Sequence, residues 1–290
     1  MDCELLANHR HAPLVLMAPE LSIALFQPPA GVASSTFCSG IVQLLATHLN
    51  LFASRRLMSE TLDLVLRRKR QPGTWPLLSA WIDVIEQIHV HAASRLGQYR
   101  EAALYAIKSI YTELGSALDC ARSSMLDILL AQSGCFIVVT DGLSAEAASL
   151  LASLIINYAF QQRARVDPRR LTPLIFILDD ALPLIRAGSA GESEGGINPI
   201  ATWAFMGRSR RIGLICAAQN YSEVAQALRN NADTVLCFGS YGKDARELAR
   251  DLDLTREQAS MLPVIRPGEV IAMARSVWPL ACRGRVPEVK

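Results

Sequence analysis

"LIFILDDA", residues 174–181, decides how this chain is read. A short apolar run, rich in β-branched and aromatic side chains, ends on two carboxylates, Asp179 and Asp180. Such a run fits a strand covered on both faces, with the carboxylates at its carboxyl end. In open parallel sheets the chemistry gathers at that end, where loop amides and helix amino termini converge. A carboxylate pair there can hold a magnesium ion and orient an attacking water. Alone the pattern is weak, because strands commonly exit into Asp turns.

The neighbouring runs strengthen it. "CFIVVT" (135–140) ends at Asp141-Gly142, "RIGLICAAQN" (211–220) ends at Gln219-Asn220, "DTVLCFG" (233–239) leads to Ser240, and "EVIAMA" (269–274) follows. Between them lie helical patterns, among them "SAEAASLLASLIINYAFQQRA" (144–164), with a Ser cap, and "GKDARELARDLDL" (242–254). Apolar strands alternating with helices predict an α/β fold with a parallel sheet covered on both faces. Gln219 would stand beside the carboxylates, suited to sensing a phosphate or placing a water, with Arg208 and Arg210 just ahead of its strand.

Upstream, "APLVLMAPELSIALFQPP" (12–29) predicts two short strands closed by Pro28-Pro29. From Ser35 to about Cys120 apolar residues recur at helical spacing in four stretches, with breaks at Pro72-Gly73 and near Arg95 to Gln98. The expected division is a strand segment over 1–34, a helical insertion over 35–132 and a strand-bearing core over 133–290. The Gly/Ser-rich stretch 187–196 is read as a loop rather than a phosphate cradle, since it carries Glu192 and Glu194 and no Lys.

Composition bounds the rest. With 290 residues, 51% hydrophobic and 19% charged, the chain can bury a substantial core. No apolar run is long enough to predict a transmembrane segment and no secretory signal is recognised, so a cytoplasmic location is expected. The seven cysteines are scattered without ligand spacing and read as small buried hydrophobes. A net charge of +2 does not announce a nucleic-acid partner. Arginines nevertheless cluster at 67–70, 163–170 and 208–211; the first two clusters read as solvated helix ends. His89 and His91 have no metal-site spacing, Ser34-Ser35 and Ser123-Ser124 read as helix starts, and Trp75, Trp81, Trp203 and Trp278 as core residues.

"LIFILDDA", "ATWAFMGRSRRIGLICAAQN" (201–220) and the run 228–275, together with "LVLMAPELSIALFQPPAGV" (14–32), resemble the HerA/FtsK class of hexameric motor ATPases, including the conjugative secretion and coupling ATPases. The resemblance implies a RecA-like P-loop NTPase fold with a helical insertion. It implies Asp179 as the magnesium-linked Walker B carboxylate, Asp180 in place of the catalytic Glu, and Gln219 as the polar sensor. Arg210 falls at the arginine-finger position, with Arg208 as the alternative. ATP and Mg2+ follow as ligands by resemblance, and a homo- or hetero-oligomeric ring and DNA as partners.

Two departures qualify this. Asp180 is one methylene shorter than the Glu it replaces, which alters its reach to water. The Walker A strand and loop are lacking: none of the four lysines lies in G-x-x-x-x-G-K-[ST]. The only Gly-Lys, Gly242-Lys243, is followed by Asp244 where the hydroxyl residue belongs, with Cys237 where the first Gly belongs. Without that loop the chain alone is expected not to hydrolyse ATP, and to expose apolar strand surface. The favoured reading is an ATPase-family chain of a DNA translocase or secretion motor, lacking catalytic competence or completed by a P-loop-containing partner. The alternatives are a non-hydrolysing ring subunit that lends an arginine finger, and an unrelated α/β enzyme using Asp141 and Asp179-Asp180 for metal-dependent chemistry.

Overall fold

A computed structural model describes residues 13–68, 74–121, 125–131, 134–185 and 199–287; the Gly/Ser-rich stretch and Ser123-Ser124 lie outside them. The chain divides into two compact units, the first running to Phe176 and regaining Gly207–Gly213, the second holding Ile177 onward, Ile200–Met206 and Leu214 to the carboxyl terminus.

In the first unit the expected helices form as α1 (Ser34–His48), α2 (Arg55–Arg67), α3 (Leu78–Glu86) and α4 (Arg95–Leu118), followed by a short α5 (Met125–Ala131). α4 starts where Ser94 Oγ accepts the Gly97 amide at 3.0 Å, so one orphan donor of the first turn is satisfied by the cap. At Gly97 a side chain would meet the His91 carbonyl at 2.4 Å, so the chain can turn into the helix only without a Cβ.

β1 (Leu14–Met17) pairs in parallel with β2 (Phe136–Val139), Leu14 opposite Phe136. The second strand expected before Pro28 does not form. Ile23 to Phe26 instead thread into the helical core as an extended segment, all buried, with the Ile23 amide donating to Ala117 O at 2.8 Å. Burial rather than a ladder satisfies that apolar run.

α6 (Ala145–Arg163) is capped by Ser144, whose Oγ accepts the Ala147 amide at 3.2 Å and whose own amide and hydroxyl are taken by Glu113. Against α6, His48 is enclosed with Nε2 2.8 Å from Ser153 Oγ and Nδ1 3.5 Å from Ser149 Oγ. Burial pushes the imidazole down from 6.5 to about 4, so it is neutral in the fold. The unfolded chain protonates first as pH falls. The contribution of His48 is therefore intact above pH 6.5 and drains away between 6.5 and about 4, by about 3 kcal/mol in all. Denaturant titrations in that window should show a shallower acid loss for His48→Gln than for the parent; identical slopes would remove His48 as the cause.

β3 (Leu174–Leu178) pairs with β4 (Ile212–Cys216), and both strands pass from one unit into the other. The Leu174 amide donates to Arg211 O at 2.9 Å before the strands, and the Ala217 amide to Leu178 O at 2.9 Å beyond them, so they run the same way. Both were expected to be covered on each face. Instead Ile175 and Ile177, alternate residues and so on one face of β3, are 59% and 61% exposed, and Ile215 of β4 is 54% exposed.

The expectation of a single parallel sheet is corrected. The described strands form three sheets: β1–β2, β3–β4, and an antiparallel β5–β6–β7 made of Thr234–Cys237, Glu269–Ala274 and Trp278–Arg285. A three-residue connection from β6 to β7 can only join antiparallel neighbours. It is pinned by Asp233, whose carboxylate accepts the Ser276 amide and hydroxyl at 3.1 and 2.8 Å. Cys237, Leu248, Leu252, Leu262, Ile271 and Met273 make the core beneath, where α10 (Gly242–Asp251) packs. Two further readings change. Cys135, Cys216 and Cys282 are exposed, unlike the buried Cys38 and Cys237, and Trp278 faces solvent whereas Trp81 and Trp203 are core residues.

Candidate functional site

The strand β3 delivers Asp179 and Asp180 at its carboxyl end, in the second unit. Pairing continues past the strand: the Ala181 amide donates to Ala217 O at 2.8 Å, which fixes the turn that carries the carboxylates. Asp179 Oδ1 accepts the Asp180 amide at 3.1 Å, an Asx-type contact. Asp180 sits at φ +48°, a left-handed conformation that Asp tolerates better than a branched residue would. Both side chains are exposed, while Ala181 beneath them is buried and starts the short helix α7 (Leu182–Ile185).

One strand over, β4 ends at Ala217-Ala218 and exposes Gln219 and Asn220. Asn220 Nδ2 donates to Glu223 at 3.0 Å, whereas the Gln219 amide group makes no hydrogen bond among the described residues. β3 and β4 pair through to Ala217 and Ala181, so the carboxylates and Gln219 leave the same end of one two-stranded sheet. Asp141, proposed for the unrelated-enzyme reading, is an exposed turn residue after β2 in the other unit.

Among the described residues no group of three or more His, Cys, Asp or Glu side chains converges. Two adjacent carboxylates are nevertheless the hard oxygen donors magnesium takes, since it keeps several waters and completes its octahedron with phosphate oxygens. The donor set fits that ion.

The arginines separate. The Arg210 guanidinium lies 3.9 Å above the Phe160 ring, and its Nη1 donates to Phe160 O at 2.6 Å. Burial lowers its pKa. It holds its own unit together, whereas Arg208 is exposed and makes no hydrogen bond or ion pair among the described residues. Sequence reasoning also missed Arg163. Taken for a solvated helix end, it is buried, and its Nη1 donates to Thr172 O at 2.7 Å and to the Arg210 and Arg211 carbonyls at 3.3 Å each. The only signal was its place in the last turn of α6, where its stem continues the apolar stripe.

This architecture is a HerA/FtsK-class motor-ATPase-like fold. It superposes on VirB4 of Thermoanaerobacter pseudethanolicus with a TM-score of 0.70 at 12% identity, covering 96% of this chain and 77% of that one. The plasmid coupling protein TrwB in complex with ADP and Mg2+ gives 0.64 at 11% identity, over 99% of this chain and 80% of the other. TrwB with the ATP analogue ADPNP gives 0.68 at 11% identity, over 96% and 74%. No protein-family model and no curated protein matches the sequence.

Proposed function

We propose that the chain is the magnesium- and water-handling part of a nucleotide-driven motor of the conjugative secretion and coupling kind. On this reading it works in a ring, and another stretch of polypeptide supplies the phosphate loop. The observation that carries it is the pairing of a carboxylate-tipped β3 with a Gln-tipped β4 whose apolar side chains stand open to water. Ile175, Ile177 and Ile215 have the composition of strands covered on both faces, so a strand–helix element bearing the phosphate loop is the natural cover. That VirB4 and TrwB extend beyond what this chain matches agrees with it.

Within the site, Asp179 would hold the magnesium, which when bound draws charge from the phosphate oxygens. Asp180 would accept a proton from, or orient, the attacking water, and Gln219 would hold that water or the terminal phosphate by its free amide group. Asp179-to-Asp180 hydrogen bonding keeps one carboxylate oxygen occupied and leaves the others for the ion. A second reading, a ring subunit that lends an arginine to a neighbour's nucleotide, is favoured by the exposure of Arg208. Arg210 would first have to give up Phe160.

Calorimetry with Mg-ATP tests the need for an external loop: the chain alone should give no measurable binding. Tight binding abolished by Asp179→Ala would mean that the chain carries a phosphate site of its own. In parallel, Mn2+ should broaden the amide resonances of residues 178–181 in the parent and much less in Asp179→Ala. Uniform or absent broadening would remove Asp179 from the metal role.

A further inference from the structure

Two arginine-bearing turns that lie far apart in sequence meet in the first unit, at the amino ends of β3 and β4, opposite the carboxylates. Residues 163–172 contribute Arg163, Arg165, Arg169 and Arg170, and residues 207–212 contribute Arg208, Arg210 and Arg211. Arg163 binds three carbonyls across the two turns, Arg211 Nη1 donates to Leu171 O at 2.8 Å, and Arg210 is taken by Phe160 O. Gly207 allows the close fit, since a Cβ there would stand 2.7 Å from the Ile212 carbonyl.

The guanidiniums that clip the turns together are thus satisfied by neutral acceptors. Seven arginines stand here against a single carboxylate, Asp167, in a chain whose entire net charge is +2. Asp167 is itself engaged, accepting the Arg169 amide at 3.0 Å. Arg163 has its pKa lowered by burial and then by Arg211, which reports positive charge with no local counter-charge. Arg165, Arg169, Arg170 and Arg208 are exposed, and their side chains make no hydrogen bond or ion pair among the described residues.

We infer that this pole is a binding surface for the phosphate backbone of a nucleic-acid strand. The cations are all arginines, whose planar forks match phosphate oxygens in pairs, although the chain also has lysines elsewhere. A protein partner would call for an apolar centre inside the charged rim. Val166, 40% exposed, is the one large apolar side chain laid open in these two segments, so an acidic protein is the weaker occupant. Several unpaired arginines on two adjoining turns suit a run of phosphates better than a lone anion. Without base-reading side chains, the binding is sequence-tolerant and steeply salt-dependent. The inference does not rest on the nucleotide reading and uses neither Asp179, Asp180 nor Gln219.

The test is fluorescence anisotropy of a labelled single-stranded oligonucleotide over a salt series, on the full chain and on the triple variant Arg165→Gln, Arg169→Gln, Arg170→Gln. These side chains carry no structural bonds, so the variant's melting curve should match the parent's. The variant should bind roughly tenfold or more weakly near 0.1 M salt, with a log–log salt slope shallower by about two to three. Unchanged affinity and slope would overturn the inference. So would equal displacement of the strand by polyglutamate at matched charge, which would make the surface one for acidic protein. Displacement by tripolyphosphate at matched charge would overturn the strand and leave a nucleotide-sized site. Resistance to both competitors supports the strand.

Discussion

Trp81→Ala should lower the unfolding free energy of the helical unit by about 3–5 kcal/mol, the range for deleting a fully buried aromatic side chain. Trp81 has no exposed surface and packs edge-on against Phe26, with ring centroids 5.5 Å apart. Its Nε1 donates to Thr61 Oγ1 at 2.9 Å, and Thr61 itself donates back to the Leu57 and Met58 carbonyls. Truncation opens a cavity where α2, α3 and the threaded segment around Phe26 meet, and it strips the hydroxyl of its indole partner. Trp81→Phe retains most of the buried area but not the N–H, so it should cost less than half as much. Urea unfolding followed by circular dichroism separates the two. Equal losses would put the whole effect on the hydrogen bond, and a loss under about 1 kcal/mol would mean that the site collapses freely.

That tryptophan was legible as core from the helical spacing of "LLSAWIDVIEQI" alone, because a 3.6-residue stripe is a local property of the chain. The same holds for Asp179, Asp180 and Gln219, whose places at strand ends follow from where the apolar runs stop. What failed depended on partners distant in sequence. "SIALF" has strand composition, yet its neighbours are helices, so it is buried without a ladder. "WPLACRGR" (278–285) mixes Pro, Gly and Arg and gave no strand signal, although pairing with β6 makes it one. The exposure of Ile175 and Ile177 was legible only through the missing phosphate loop: composition states what a strand is built to touch, not whether the toucher is there. Arg163 and Arg210 were read by charge, as a helix end and a finger, but their long stems and carbonyl contacts decide their roles.

Arg229→Ala should destabilise the second unit by a similar amount, about 3–5 kcal/mol, because it leaves two half-buried carboxylates facing each other. Arg229, near the end of α9 (Gln226–Asn231), is buried. Its Nη1 meets Glu247 and, at 3.1 Å, Asp251, while Nη2 donates to Gln226 at 2.6 Å. Its guanidinium stands 5.1 Å from the centroid of the Tyr221 ring, whose hydroxyl is pushed up to about 12 by burial and by Asp251. Removing the cation therefore frees the segment that follows Gln219 and Asn220 directly. Neutralising the survivors in Arg229→Ala/Glu247→Gln/Asp251→Asn should recover much of the loss, since the cost lies in uncompensated charge more than in packing. If the triple variant were no more stable than Arg229→Ala, packing against Tyr221 would be the dominant contribution. The same variants address the site: amide exchange over residues 219–223 should quicken in Arg229→Ala and slow again in the triple variant. A sensing residue at a strand end is only as well placed as the loop behind it, and here an ion cluster on α9 and α10 fixes that loop.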